Sequence, residues 1–252
     1  MNRLPGPSWI AAALVLTALT VSPSRASDDI SFTRPPSSGE LDDLTRELGL
    51  AAFGAKLEAA ESLGPARFEI QVGATGTEIS QDEDFWSQAN GGDSPSGTLA
   101  TGRASLRVGL PWHIDLGVFA QRLDLGSAQS QGAEVKWEFV KGDNARPAVA
   151  ARVTYGRLRH VDELSAKTVG ADVSISKGFG PFTPYGGIGR MWLDSRVSDI
   201  DGFPDEHVNA SPGVNQAFAG ARFSLGWFRI HLEAQWATGI VSYAASAGFK
   251  FP

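Results

Sequence analysis

The chain of 252 residues contains no cysteine. That excludes disulfide scaffolds, thiolate metal sites and cysteine nucleophiles. A basic surplus is also missing. Its 22 Lys and Arg face 28 Asp and Glu, a formal charge of −6. The cationic footprint that a phosphate backbone needs is therefore absent, and nucleic acid is excluded as a partner. Long apolar runs are scarce: Ile10–Val21, the most apolar stretch, is 12 residues, too short for a membrane helix and followed by Pro23, and no other stretch reaches the roughly 18 that such a helix needs. No Gly-x-Ser-x-Gly nucleophile elbow occurs. Asp199-Ile200-Asp201-Gly202 has the form of part of a calcium loop, but positions one and twelve would fall on Val197 and Val208. It reads as a solvated acidic loop with Asp205 and Glu206 beside it, and Asp82-Glu83-Asp84 reads the same way. The sequence names no catalytic residue, no metal ligand and no cofactor, and it points away from an enzyme.

What is present begins with an export signal. Arg3 supplies a positive end, Ile10–Val21 an apolar core, and Ser24-Arg25-Ala26 a small-x-small cleavage site. Residues 1–26 are expected to be removed, which takes away Arg3 and Arg25 and leaves a mature charge of about −8. The exported chain is then soluble, or it crosses a membrane as a barrel. Residues 27–65 form the next unit. Ser37 and Glu40 stand at capping-box spacing. Leu41, Leu44, Leu48, Ala51 and Ala55 follow as a stripe at three- and four-residue steps. The pattern predicts an amphipathic helix from Gly39 to Ser62, ended by Gly64-Pro65. It is expected on the periplasmic mouth of a barrel or at the membrane surface, with a plug inside the lumen as the alternative.

From residue 66 to 252 the periodicity changes to two. Phe68, Ile70 and Val72 alternate with Arg67, Glu69 and Gln71, and ten such strands can be marked out. The links alternate as well. Leu110-Pro111-Trp112, Lys141–Pro147, Gly178–Pro181 and Gly226-Trp227 are short, whereas Ser80–Gly97 and Asp194–Val214 are long and polar. The expected fold is all-β: a transmembrane antiparallel up-and-down barrel of about ten strands behind one helix. An even strand count, with short turns on one side and longer loops on the other, suits that fold.

The last hairpin is the most regular part. Phe228, Ile230, Leu232, Ala234 and Trp236 alternate with Arg229, His231, Glu233 and Gln235, and the chain ends soon after Phe249 and Phe251. This resembles the closing strand of bacterial outer-membrane β-barrels, which typically ends in Phe; here Pro252 follows. The resemblance is to the class, and it implies placement in outer-membrane lipid and recognition of the C-terminal strand by the barrel-assembly machinery. It leaves the oligomeric state open. Trp112, Trp137 and Trp227 would then form an aromatic girdle on the turn side, and Tyr155, Trp192, Trp236 and Tyr243 one on the loop side. Inward positions would carry Arg103, Arg107, Asp115, Glu134, Lys136, Glu138, Arg152, Asp172, Arg190, Arg222, Arg229, Glu233 and Lys250. His113 with Asp115, and His231 with Glu233, share the inward face and read as hydrogen-bond partners rather than a general base with its orienting carboxylate. His160-Val161-Asp162-Glu163 lies on an outer loop with no nucleophile to serve. The expected function is a porin-like channel for small polar solutes. The alternative is a closed structural or adhesive barrel displaying its loops. Helix-then-barrel order also resembles the lipid A palmitoyltransferase layout, but that enzyme has eight strands and outer-face catalytic residues that find no match here.

Overall fold

The computed structural model describes residues 32, 34–80, 86, 97–125, 127–143, 145–159, 161, 163–198, 200, 203 and 206–252. The export signal, Asp82-Glu83-Asp84, His160, Asp162, Asp199, Asp201, Gly202 and Asp205 lie outside these residues. Ser37 caps helix α1, Ser38–Phe53. Its side chain accepts from the Glu40 N–H while Glu40 reaches back to the Ser37 N–H, a reciprocal pair that satisfies two otherwise orphaned donors.

Among the described residues eleven strands follow: β1 Phe68–Glu78, β2 Thr98–Leu110, β3 Ile114–Leu123, β4 Gln129–Val140, β5 Ala148–Arg159, β6 Leu164–Ser176, β7 Phe182–Val197, β8 Val208–Ala210, β9 Gly213–Leu225, β10 Phe228–Ala237 and β11 Ile240–Phe251. Ten of them close into an antiparallel barrel, because β1 pairs with β11, β6 with β7, and β7 with β9. Among the described residues, the short β8 pairs only with the loop end of β7. Asp194–Val197 therefore belongs to β7 rather than to the long polar link expected there.

The pairing fixes the barrel's shape. Partners can be followed from Leu110 through Ile114, Trp137, Ala151, Val173, Ile188, Ala217, Trp236 and Val241. Extending the β11–β1 register by one residue reaches Glu78 and then Thr98 on β2, twelve residues from the start. That stagger over ten strands tilts them by about 40° and gives a Cα radius of about 10 Å. Such a cylinder is wide enough for one helix or one extended chain, and it contains both in succession.

Polarity is inverted relative to a soluble barrel. Leu106, Val118, Val135, Val153, Ile175 and Leu232 face outward, whereas Arg103, Asp115, Lys136 and Glu233 are buried inside. Aromatics gather at the turn end, where Phe68 stacks on Phe251 at 4.7 Å and Trp227 meets Phe249 at 5.5 Å.

The helix differs from its expected extent and place. It stops at Phe53. It lies inside the barrel at the loop end, with Leu44, Leu48, Ala51 and Phe53 in one apolar cluster with Leu123, Leu158, Leu164, Met191, Val197 and Val214. Glycine makes the close approach possible at two points. A Cβ on Gly49 would meet the Leu193 methyls, and one on Gly156 would meet the Phe53 ring at 2.5 Å. Residues 54–63 then run down the lumen without helix or strand and are buried over 54–60. The chain turns at the rim through Gly64 and Ala66, both at positive φ, and Ala66 donates to the Gly109 carbonyl before β1 begins. The segment before β1 thus enters from the loop end, not from the turn side where β1 starts.

Candidate functional site

The lumen site is built where strands of opposite direction deliver long side chains onto residues 52–63. Every strand backbone already serves its neighbours, so the threaded segment has no ladder to join. Inward side chains meet many of its polar groups instead. Glu233 on β10 accepts the N–H groups of Lys56 and Leu57, each at 2.8 Å. Glu138 accepts from Ser62 at 3.0 Å, and Asp115 from Leu63 at 3.1 Å. The carbonyls are met from other strands. Gln121 and Ser130 donate to Ala52, Gln235 to Gly54, and Arg103 to Ala55 at 3.0 Å. Lys136 donates to Ala59 at 3.1 Å and to Glu61 at 2.9 Å. This also explains the early helix end. Side chains of the barrel capture the Ala52 and Gly54 carbonyls and the Lys56 and Leu57 N–H groups, and Leu57 sits at φ 52°.

Glu58 is the electrostatic centre. Arg107 from β2 approaches it at 2.7 Å, Arg152 from β5 at 3.4 Å, and Lys136 from β4 forms a third ion pair. Each cation has a second carboxylate: Glu69 for Arg107 at 3.7 Å, Asp115 for Lys136 at 3.1 Å, and Asp172 for Arg152 through two contacts of 3.1 Å. Glu69 also holds Arg229 at 2.6 Å, Arg222 pairs with Glu61, and Glu134 lies 3.8 Å from Arg103. Carboxylates and cations thus alternate through a branched network centred on Glu58, and the threaded segment adds a separate pair through Glu61.

Of the inward charges expected from the sequence, Arg103, Arg107, Asp115, Glu134, Lys136, Glu138, Arg152, Asp172, Arg222 and Glu233 are buried in the lumen. Arg229 and Lys250 face inward near the turn end and are half-buried. Arg190 is on the other face. It pairs with Ala171 and Asn215 in register, is exposed, and lies over the Trp192 ring at 5.9 Å. The parity of β7 is opposite to the one expected because Tyr185, Met191 and Leu193 are buried inward. Met191 and Leu193 join the cluster around α1, and the Tyr185 hydroxyl donates to Glu233 at 3.0 Å. Trp112, Trp137, Tyr155, Trp192, Trp227, Trp236 and Tyr243 all stand exposed on the outer surface.

The two His–carboxylate combinations are not joined. His113 lies on the turn 3.6 Å from Glu138, while Asp115 serves Leu63 and Lys136. His231 Nδ1 meets the Gln71 amide at 2.7 Å, and Glu233 serves Lys56, Leu57 and Tyr185. Sequence reasoning missed Glu58, Glu61, Glu47 and Trp86. Glu47 lies on α1, is buried, and accepts from the Trp86 indole at 2.6 Å. Leu57, Glu58 and Glu61 fit a helical pattern as easily as an extended one, so nothing local marked them.

No family model matches the chain, and no curated protein matches it. Solved structures are similar at low identity. Ail, the attachment invasion locus protein of Yersinia pestis, is 13% identical over 74% of this chain and 99% of its own, with a TM-score of 0.39. The outer membrane protease OmpT from Escherichia coli is 12% identical over 78% and 99%, with a TM-score of 0.40. The N-terminal β-barrel domain of OprF from Pseudomonas aeruginosa is 14% identical over 73% and 97%, with a TM-score of 0.34. The chain has the fold of bacterial outer-membrane β-barrels, as its own registers and inverted polarity establish.

Proposed function

We propose that this chain is an integral outer-membrane barrel held shut by its own N-terminal segment, a closed structural or adhesive barrel that displays its loop end. The apolar outer surface sits in lipid, the loop end faces outward, and β11 is the strand that the assembly machinery recognises. One observation carries the reading. Eight of the inward charges that a porin-like channel would offer to solutes, Arg103, Arg107, Asp115, Lys136, Glu138, Arg152, Arg222 and Glu233, are engaged by residues 55–63, with Glu58 bound by three cations from three strands. A channel for small polar solutes needs those groups free.

Single-channel conductance of the purified barrel in a planar bilayer tests this. Folding is verified beforehand by different migration of boiled and unboiled samples in a detergent gel. Full-length protein is expected to be silent. A variant lacking residues 34–63, shown to fold by the same gel shift, is expected to give discrete steps. Reproducible steps from the full-length barrel would overturn the closed reading and favour the porin-like one.

A further inference from the structure

We propose that the outer face of β5–β7 near the loop end is a binding site for a phosphate-headed acyl lipid. The inference rests on the membrane placement proposed above. Two independent features meet there. The first is a one-sided cationic patch. Arg122, Arg157, Lys167 and Arg190 all lie on the outer face of β3–β7. With strands tilted about 40°, each residue along a strand rises about 2.5 Å, and these four groups fall within about 8 Å of height. Tyr155, Trp192, Trp236 and Tyr243 span about 6 Å at the same level or just below, about 20 Å above the turn-end aromatics. That separation is close to the height of an apolar band in an outer-membrane barrel. The cations therefore stand at headgroup level, where lipid-facing charge is tolerated.

The ion pairs among the described residues lie in the lumen, around α1 and in the β4–β5 turn, and none includes these four cations. Lys167 stands opposite Asp194 in the β6–β7 register without closing an ion pair. With its carbonyl turned toward them, Gln131 accepts from Arg157 Nε at 3.2 Å and from Arg159 Nη2 at 3.3 Å. Arg190 donates to Asn215 at 3.4 Å. On β9–β11, β1 and β2, the outward positions at this level among the described residues include Asn215, Val241, Gly76 and Ala100, and no Lys or Arg.

The second feature is a groove of about 920 Å³ that crosses the outer face from Ala151–Val153 and Ala171–Val173, past Arg190 in its wall, to the β10–β11 turn. Small residues Ala151, Ala171 and Ala217 hollow the outer surface there, with Ile188 and Trp236 beside them. On β5 and β6 the groove lies below Arg157 and Lys167, and Arg190 forms part of its wall; apolar lining beside cations at headgroup level matches one ligand chemistry, an acyl chain along the groove with an anionic phosphate at the cations. Bidentate geometry suits Arg for the phosphate oxygens.

Native mass spectrometry of the folded full-length barrel in detergent tests the site with dilauroyl phosphatidic acid, dilauroylglycerol and inorganic phosphate as probes. Phosphatidic acid is expected to bind at least tenfold tighter than dilauroylglycerol, which has the same chains without the phosphate. R157Q/K167Q/R190Q together should remove that preference and leave dilauroylglycerol binding unchanged. A171F, which fills the groove, should weaken both lipids at least fivefold. Equal binding of the two lipids, or a triple variant that keeps the preference, overturns the proposal. So does displacement of phosphatidic acid by an equal concentration of inorganic phosphate, which would mean an ion site without chains. The gel shift on boiling separates the two readings. A barrel that shifts but shows no preference fails the lipid site alone, whereas an unshifted chain soluble without detergent fails the membrane placement itself.

Discussion

Removing the Glu58 carboxylate should loosen the threaded segment while leaving the barrel standing. Glu58 is 5% exposed and faces Arg107, Lys136 and Arg152. Breaking a buried ion pair by deleting one partner costs about 3–5 kcal/mol, because the other charge is left uncompensated. Here each cation keeps a second carboxylate in Glu69, Asp115 or Asp172. The cost for Glu58→Ala should therefore fall near the lower end, about 3 kcal/mol. Since about 1.4 kcal/mol is tenfold in an equilibrium, the ratio of displaced to seated segment should rise about a hundredfold. The barrel's ladders do not involve Glu58, so the gel shift on boiling should persist. Planar-bilayer recording should then show brief openings that the wild type lacks. The absence of cysteine allows a second arm. Thr45 Oγ1 and Ser195 Oγ lie 2.6 Å apart between α1 and β7, so T45C/S195C should form a disulfide that locks the helix to the wall. Added to Glu58→Ala, it should suppress the openings until a reductant is supplied. If Glu58→Ala stays silent while the barrel lacking residues 34–63 conducts, the charge network does not hold the segment and the reasoning fails.

Three other outcomes follow. Gly156→Val puts a branched side chain where a Cβ alone would come within 2.5 Å of the Phe53 ring; overpacking of this kind costs about 1–3 kcal/mol, and limited proteolysis should cut within residues 38–53 faster than in wild type. An epitope placed ahead of Phe32 should bind antibody on intact cells, because Phe32 donates to Glu163 in the β5–β6 link at the loop end; labelling only after permeabilisation would reverse the direction assigned to the threaded segment. Asp143, in the β4–β5 turn, accepts from the Arg146 and Ala145 N–H groups, and with the Arg146 guanidinium these hold its carboxyl down to about 2. A depressed carboxylate stabilises the turn above its unfolded value, and that contribution is lost as pH falls through about 2; an NMR titration placing it in the ordinary aspartate range would contradict the turn geometry.

The strands were legible because each inward–outward alternation is written locally. Phe68 to Val72 shows one, and Phe228 to Trp236 shows another. The capping box of Ser37 and Glu40 is equally local. What could not be read were features that depend on contents of the lumen. β7 looks like an apolar-out strand carrying one inward Arg, until Met191 and Leu193 are found packed with α1. An apolar residue facing a polar lumen would be misplaced; one facing a helix inside that lumen is not. Arg190 reads as inward for that reason, and the extent of α1 misleads for a related one. Residues 54–62 continue a helical stripe through Ala55 and Leu57, and only side chains on distant strands make the extended course the better satisfied one.

The same dependence explains why the lumen is so charged. An extended backbone buried alone would strand its N–H and C=O groups, each costing more than a typical hydrogen bond returns. Short uncharged side chains such as Ser or Thr do not cross a cylinder of about 10 Å radius to a chain on its axis; Ser130 reaches only the Ala52 carbonyl, where α1 still lies close to the wall. Arg, Lys, Glu and Gln are long enough, and Arg103, Lys136, Glu233, Gln121 and Gln235 all do so. Their charges in turn require counter-ions, which come from neighbouring strands and from Glu58 and Glu61 on the segment itself. Where α1 replaces the extended chain, its backbone is already satisfied, and the wall lining changes to Leu123, Leu158, Leu164, Met191 and Val214. The switch from charged to apolar lining along the lumen thus follows the conformation of what it holds. The converse is testable with two variants: Leu193→Lys, placed against Gly49 of the helix rather than against the extended chain, buries an ammonium among apolar residues and should expel α1, whereas Arg103→Lys keeps a cation facing Glu134 and a donor for the Ala55 carbonyl and should be tolerated. Equal protease sensitivity of the two variants within residues 38–53 would show that lining and content are independent.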